Sequence, residues 1–202
     1  MNPVNVVDPD GNYTLNLNED NTVASMVDED NLNMVSVFNA DGSLFGEFNA
    51  PPAQSYFNTE DLINQKFDSD MERNVAVLMS EAWHDWPYGV FKWASDEPFD
   101  FKYRFYTSKG MSEFTVGFLN NTIMTARDVG NAIWGGWTRQ AYIEFFVPLN
   151  LFTPSIMLPK HYYHNLGMMK IISNVTALIF DKKLEDKGSA AMQRWGFDHY
   201  VP

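Results

Sequence analysis

The chain has 202 residues, 45% of them hydrophobic and 15% aromatic, which is enough for one medium domain with a sizeable core and argues against general disorder. It contains no cysteine, so disulfides, thiolate metal sites and a cysteine nucleophile are excluded. The net charge of −12 lies mostly in residues 1–67, where eleven acids and one base give −10, and the nearly neutral remainder lacks a long basic stripe typical of nucleic-acid binding.

The first fifty residues have the pattern of a small β-meander. After Met1, the run Asn2-Pro3-Val4-Asn5-Val6-Val7-Asp8-Pro9-Asp10-Gly11 is a short apolar segment that ends in a turn, because Pro9 fixes φ and Gly11 accepts a positive φ. Apolar and polar residues alternate through residues 12–49, and Asp41-Gly42 between two apolar runs predicts a hairpin. Ala50-Pro51-Pro52-Ala53 has the composition of a linker.

The middle of the chain combines helical and strand patterns. Asn58-Thr59-Glu60-Asp61 has the pattern of a helix cap with Thr59 as the candidate N-cap, and a helix is predicted to follow from about residue 68 to residue 86. Alternating aromatic residues predict a strand over residues 101–105. Asn120-Asn121 predicts the turn of a second hairpin.

The C-terminal third is predicted to be helical. Thr125 is predicted to cap a helix that runs to about residue 142. Gly130, Gly135 and Gly136 lower the helix propensity of that segment. Further helices are predicted over residues 161–181 and 187–199. The expected fold class is α+β: a mostly helical domain with a β-hairpin, preceded by a small N-terminal β-meander. No signal peptide is predicted, because the N-terminus has neither a basic region nor an apolar stretch followed by small residues. No transmembrane helix is predicted, because the apolar stretches are interrupted by prolines and by Lys170.

Two pairs of polar residues could carry chemistry. Asp100 and Lys102 point to one face of the predicted strand, where a carboxylate beside an ammonium group could act as an acid/base pair. The alternative is a solvated surface pair.

Asp128 and Asn131 lie in the first turns of the predicted central helix, whose positive end favours anions. The alternative there is helix-start electrostatics combined with tight helix packing.

Histidines occur in two further groups. Glu81, His84 and Asp85 share a helix face and could form a general-base cluster, or the edge of a metal site, or simply a solvent-exposed face. His161 and His164 are three residues apart and lack an evident third ligand for zinc. The sequence therefore predicts neither a metal site nor a cofactor.

Residues 2–11 resemble the last conserved segment of Rhs/YD-repeat shell proteins. In that family the segment closes a β-cocoon, and a variable toxin follows it. The resemblance implies that this chain is the C-terminal toxin end of a longer carrier, with the Rhs shell as that carrier. It also implies export by a specialised secretion system without an N-terminal signal peptide, action in the target bacterial cell and a cognate immunity protein.

Residues 68–202 resemble the polymorphic-toxin type 44 family through three short segments in the same order. They are Gly89-Val90-Phe91-Lys92 leading to Pro98-Phe99-Asp100-Phe101-Lys102, then Ala126-Arg127-Asp128-Val129-Gly130-Asn131, and finally Leu184-Glu185-Asp186-Lys187 with the closing helix. Phe99 replaces the family's tryptophan. The segment of residues 184–187 stands where the family has an aspartate-rich loop, and it contains fewer aspartates. Together with the patterns above, the resemblance selects as candidate catalytic residues Asp100, Lys102, Asp128, Asn131, Asp186 and His84.

The predicted organisation is the end of the Rhs core with an acidic β-meander in residues 1–50, a linker in residues 51–67 and a toxin domain in residues 68–202. The expected function is that of an antibacterial effector, a hydrolase used in interbacterial competition. Its substrate is either RNA, cleaved without a metal by Asp100, Lys102, Asp128 and a histidine, or peptidoglycan, which suits paired carboxylates and tryptophan platforms. The alternative is a non-enzymatic, membrane-disrupting toxin built on residues 145–180, although stable membrane insertion is not expected.

Overall fold

The computed structural model describes residues 12–27, 31–83, 100–149 and 186–199. Within them the chain has the α+β fold that the sequence predicts. The strands are β1 (Asn12–Leu17), β2 (Val23–Val27), β3 (Asn31–Phe38), β4 (Leu44–Asn49), β5 (Val116–Leu119) and β6 (Thr122–Thr125). The helices are α1 (Thr59–Leu62), α2 (Met71–Trp83), α3 (Phe101–Phe105), α4 (Ala126–Leu149) and α5 (Lys187–His199), with a 3-10 turn at Thr107–Lys109.

The strands form one six-stranded sheet in the order β2-β1-β3-β4-β6-β5. β1 with β2, β3 with β4 and β5 with β6 are antiparallel, so the predicted hairpins are present. β1 and β3 are parallel neighbours, and β4 meets β6 in parallel where Asn49 pairs with Thr122. The N-terminal strands therefore share a sheet with the hairpin that precedes the central helix.

Residues 64–68 connect the two edges of this sheet. The Val23 N–H donates to the Gln65 carbonyl on one side (2.8 Å), and the Val116 N–H donates to the Lys66 carbonyl on the other (2.8 Å). The sheet is curled as a result, and its concave side encloses an apolar core. This core consists of Tyr13, Leu15, Leu17, Val23, Val35, Val37, Phe48, Leu62, Phe67, Val116 and Ile123.

Two turns of the N-terminal unit have the same hydrogen-bonding pattern. In residues 18–22 and 39–43, an asparagine amide donates to a hydroxyl four residues later, and that hydroxyl donates to the aspartate between them. The fourth residue of each turn, Asn21 or Gly42, has a positive φ of 59° or 81°. In the two-residue turn between β5 and β6, Asn120 and Asn121 have positive φ values of 49° and 56°, as tight hairpin turns with two central residues require.

The helical layer has its own core, in which the largest fully buried side chains are Trp137, Tyr106 and Phe101. Helices α4 and α5 cross at Gly135 and Gly196. A Cβ on Gly135 would overlap the Gln193 carbonyl, and one on Gly196 would overlap the Ala132 carbonyl. Gly135, which the propensity scale treats as a weakness of α4, and Gly196 of α5 are therefore what allows the two backbones to touch.

The prediction of a strand over residues 101–105 is wrong, because this segment is helix α3. Asp100 is its N-cap: the carboxylate accepts a hydrogen bond from the Tyr103 N–H (3.3 Å). The aromatic residues alternate as in a strand, but Phe101 and Phe105 are also one helical turn apart and pack together, with ring centroids 5.4 Å apart. The short-range cap decides between the two patterns.

The predicted linker of residues 51–67 contains ordered structure. Its helix α1 is capped by Asn58 rather than by Thr59, since the Asn58 side chain accepts from the Glu60 N–H. Leu62 is fully buried in the core of the curled sheet. The division of the chain at residues 51–67 stays a prediction. The predicted helix over residues 161–181 lies outside the described residues. Among the helices that the structure describes, none is long and apolar enough to cross a membrane.

Candidate functional site

Arg127, in the first turn of α4, is the centre of a polar cluster. Its guanidinium pairs with the Glu113 carboxylate (Nη1 to Oε1, 3.3 Å) and with the Asp186 carboxylate (Nη2 to Oδ2, 3.5 Å). One face of the guanidinium lies 4.0 Å from the centre of the Tyr56 ring. Its side chain is 28% exposed, so the charge is accessible from solvent. The cluster, called the Arg127 cluster below, consists of Tyr56, Glu113, Arg127, Asn131, Asp186 and Ser189.

A directed chain of hydrogen bonds runs through this cluster. The Tyr56 hydroxyl donates to Asp186, and because its single proton is used there, the Ser189 hydroxyl donates to Tyr56 (2.9 Å). The Asn131 amide in turn donates to the Ser189 oxygen (3.3 Å) and to the Arg127 carbonyl (3.1 Å). The four side chains come from three distant segments, so the tertiary fold alone brings them together.

Asp186 also begins helix α5. Its carboxylate accepts the Ser189 N–H (2.9 Å), and its carbonyl accepts the Ala190 N–H (3.1 Å). Such a cap satisfies donors that the first helical turn leaves unpaired. Asp186 therefore has a structural role at the same time as it pairs with Arg127.

Asp128 lies behind the cluster and is fully buried. Its carboxylate accepts hydrogen bonds from the Tyr56 N–H (2.9 Å), the Thr125 N–H (3.2 Å) and the Thr125 hydroxyl (2.7 Å). The Asp128 N–H donates back to the Thr125 hydroxyl oxygen (3.1 Å), which confirms Thr125 as the cap of the central helix. Asp128 thus fixes the start of α4 and the backbone of Tyr56, without an exposed surface for a substrate.

Burial and charge set the ionisation of these groups. Burial opposes ionisation of Asp186, but hydrogen bonds from Tyr56 and Ser189 and the charge of Arg127 outweigh it, so the pKa of Asp186 is lowered. Burial and the neighbouring carboxylate raise the pKa of the Tyr56 hydroxyl. Burial also raises the pKa of Asp128, against the hydrogen bonds from Tyr56 and Thr125. At neutral pH the cluster therefore combines a charged Arg127, an ionised Asp186 and a neutral Tyr56.

The predicted site residues fall into two groups. Asp128, Asn131 and Asp186 meet at or directly behind the Arg127 cluster. Asp100 and Lys102 form an ion pair of their own (2.7 Å), each about one-third exposed, on the cap and first turn of α3. Among the described residues, no hydrogen bond or ion pair joins this pair to the Arg127 cluster.

The remaining predicted candidates are mostly beyond what the structure describes. His84 lies outside the described residues, as do Asp85, His161 and His164. Glu81, the neighbour of His84 in the predicted cluster, pairs with Arg104 (2.6 Å). In the part of the chain that is described, no group of three or more histidines, aspartates or glutamates is arranged to hold a metal ion.

Sequence reasoning did not single out Arg127 or Tyr56. A signal for Arg127 existed: a cation in the first turn of a helix is disfavoured by the helix dipole, and nearby carboxylates would offset that cost. A weaker signal marked Tyr56, an aromatic residue in a stretch with the composition of a linker. Their long-range partners were not predictable, because Asp186 lies 130 residues away from Tyr56 along the chain.

No protein-family model, no curated protein and no solved structure matches this chain.

Proposed function

We propose that this chain is the toxin end of an Rhs-type polymorphic toxin, that it acts as a hydrolase in a target bacterium, and that its substrate is RNA. A specialised secretion system exports it with its Rhs shell, and a cognate immunity protein neutralises it in the producing cell. The resemblances of residues 2–11 and 68–202 motivate this proposal. The Arg127 cluster provides its physical basis.

The observation that carries the proposal is the meeting of two separate segments that resemble the same toxin family. The segment of residues 126–131 supplies Arg127 and Asn131, and the segment that begins at residue 184 supplies Asp186 and Ser189. Phe101, from the first such segment, packs beside the start of α4, with its Cβ 3.8 Å from where a Cβ of Gly130 would lie. Convergence of distant motif residues on one half-exposed polar site is typical of a functional site.

The positive charge of Arg127, which Glu113 and Asp186 balance in this structure, is the feature of the cluster that favours RNA over a cell-wall glycan. A phosphodiester carries a negative charge that Arg127 can neutralise, whereas a neutral glycan has no use for it. Glycoside hydrolysis needs a carboxylic acid that stays protonated and touches the sugar. Of the three carboxylates at the cluster, Glu113 is ion-paired with Arg127, Asp186 has a lowered pKa, and Asp128, whose pKa is raised, is fully buried.

In this proposal Arg127 binds the scissile phosphate, and Asn131 and Ser189 hydrogen-bond to the phosphate or the ribose. Asp186 orients Arg127 and Ser189, and Asp128 is a positioning residue because both of its oxygens already accept hydrogen bonds. Proton transfer by His84 stays a prediction. The catalytic role of Asp100 and Lys102 also stays a prediction.

The proposal is tested by expressing the chain in a bacterial cytoplasm, with and without an export signal. We expect growth arrest and degraded RNA for the cytoplasmic form only. Toxicity restricted to the exported form would contradict RNA as the substrate and favour peptidoglycan. Rapid loss of membrane potential with intact RNA would instead favour a membrane-disrupting toxin.

A matched pair of variants locates the site. Arg127→Gln removes the central charge, and Arg104→Gln removes an arginine that is equally exposed (28%) and is also paired with a glutamate. We expect Arg127→Gln to abolish toxicity and Arg104→Gln to retain it, at equal expression. Equal loss from both variants would mean that toxicity follows general stability rather than the Arg127 cluster.

A further inference from the structure

Residues 54–57 form a strap that lies across the Arg127 cluster. The strap joins the N-terminal sheet to helix α1, and it contacts α5 at Gly188. A Cβ on Gly188 would lie 3.0 Å from the Gln54 carbonyl oxygen and 3.0 Å from the Tyr56 ring, closer than nearly all real Cβ contacts. Gly188 therefore lets the strap lie directly on the first turn of α5.

Tyr56 is held in the cluster on three sides. The Arg127 guanidinium stacks on its ring, its hydroxyl bonds to Asp186 and Ser189, and its N–H donates to Asp128. These are the kinds of contact by which proteins bind an unstacked nucleobase: a guanidinium plane on the ring face and polar groups at the ring edge. Tyr56 therefore contacts Arg127 and Ser189, two residues that the proposed function assigns to substrate binding.

We propose that the strap is autoinhibitory: Tyr56 occupies the position of a substrate base, and RNA binds the Arg127 cluster only when the strap has left it. This inference rests on the proposed function, from which it takes the identity of the substrate. The strap is part of the same chain, so it competes at a high effective concentration without needing high intrinsic affinity.

The size of the effect follows from the fraction of molecules in which the site is open. If Tyr56 fills the site in about 90% of molecules, the apparent Kd for a competing nucleotide is about tenfold higher than that of the open site. Removing the Tyr56 ring should lower that Kd by about the same factor. A tyrosine that served in catalysis or only in stability would produce no such gain.

The experiment compares the full chain with Tyr56→Ala and Tyr103→Ala, the latter a tyrosine on α3 that is 39% exposed. Binding of uridine and adenosine 5′-monophosphates is measured by calorimetry, and cleavage of a labelled single-stranded RNA is measured in parallel. We expect Tyr56→Ala to bind at least one nucleotide about tenfold more tightly and to cleave RNA faster. Tyr103→Ala should match the wild-type chain in both measurements. Unchanged or weaker nucleotide binding by folded Tyr56→Ala would overturn the inference.

Two further arms keep the test decisive. If Tyr56→Ala does not fold, Tyr56→Phe retains the ring and loses only the hydroxyl bonds to Asp186 and Ser189, and it should still bind nucleotide more tightly than the wild-type chain; equal or weaker binding overturns the inference. If no form cleaves RNA, the proposed activity fails, whereas tighter nucleotide binding by the Tyr56 variants still supports a blocked site. The two failures are therefore distinguishable.

Discussion

Replacing Gly135 by alanine tests the close crossing of α4 and α5. A Cβ there would lie 1.8 Å from the Gln193 carbonyl oxygen, whereas ordinary contact begins at 3.4 Å. The two backbones must therefore separate by about 1.6 Å. Overpacking of this kind costs about 1–3 kcal/mol, and we expect the upper end because backbone atoms, not flexible side chains, must move.

The intrinsic preference of alanine for helices offsets part of this cost, by about 1 kcal/mol. The net destabilisation should be about 2 kcal/mol, which for a chain of this size lowers Tm by about 4–8 °C. Gly130→Ala is the matched control on the same helix. Its Cβ would find only the Phe101 Cβ at 3.8 Å, so the variant should gain up to about 1 kcal/mol.

The assay is thermal and urea unfolding followed by circular dichroism for both variants and the wild-type chain. We expect opposite signs: a lower Tm for Gly135→Ala and an equal or higher Tm for Gly130→Ala. A Gly135→Ala chain as stable as Gly130→Ala would refute the close backbone contact between α4 and α5.

Three further predictions concern polar contacts. Thr125→Ala removes the cap of α4 and one hydrogen bond to Asp128, and should lower the free energy of unfolding by about 1–2 kcal/mol in urea titrations. Because the folded-state pKa of Asp186 is lowered, its stabilising contribution is present above its unfolded pKa of about 3.9 and is lost as the pH falls through the folded pKa. The stability difference between the wild-type chain and Asp186→Asn should therefore shrink between pH 7 and pH 3. Hydrogen bonds from Thr22 hold the pKa of Asp20 at about 2, so NMR titration of Thr22→Val should find it closer to its ordinary value.

Local signals in the sequence predict much of the fold. Asp41-Gly42 and Asn120-Asn121 specify their hairpins because few other residues accept a positive φ, and Thr125 specifies the start of α4. The segment of residues 101–105 shows where such reasoning fails. Its alternation was compatible with a strand, whereas the cap at Asp100 and the contact between Phe101 and Phe105 belong to a helix.

Long-range features could not be predicted in the same way. The bridging of the sheet edges by residues 64–68 depends on backbone groups, which leave no pattern in the side chains. The two matching turns at residues 18–22 and 39–43 were readable as an asparagine, aspartate and hydroxyl residue at equal spacing, although that pattern was missed. Tyr56 and Asp186, 130 residues apart, carry no joint signal.

A cleavage assay with the purified chain and a labelled single-stranded RNA tests directly whether the Arg127 cluster cleaves RNA. We predict measurable cleavage by the wild-type chain, a loss of about 100-fold or more in Arg127→Gln and a rate close to wild type in Arg104→Gln. Cleavage by Arg127→Gln at the wild-type rate would contradict a role of Arg127 in the reaction. No cleavage by any form, including Tyr56→Ala, would contradict RNA as the substrate.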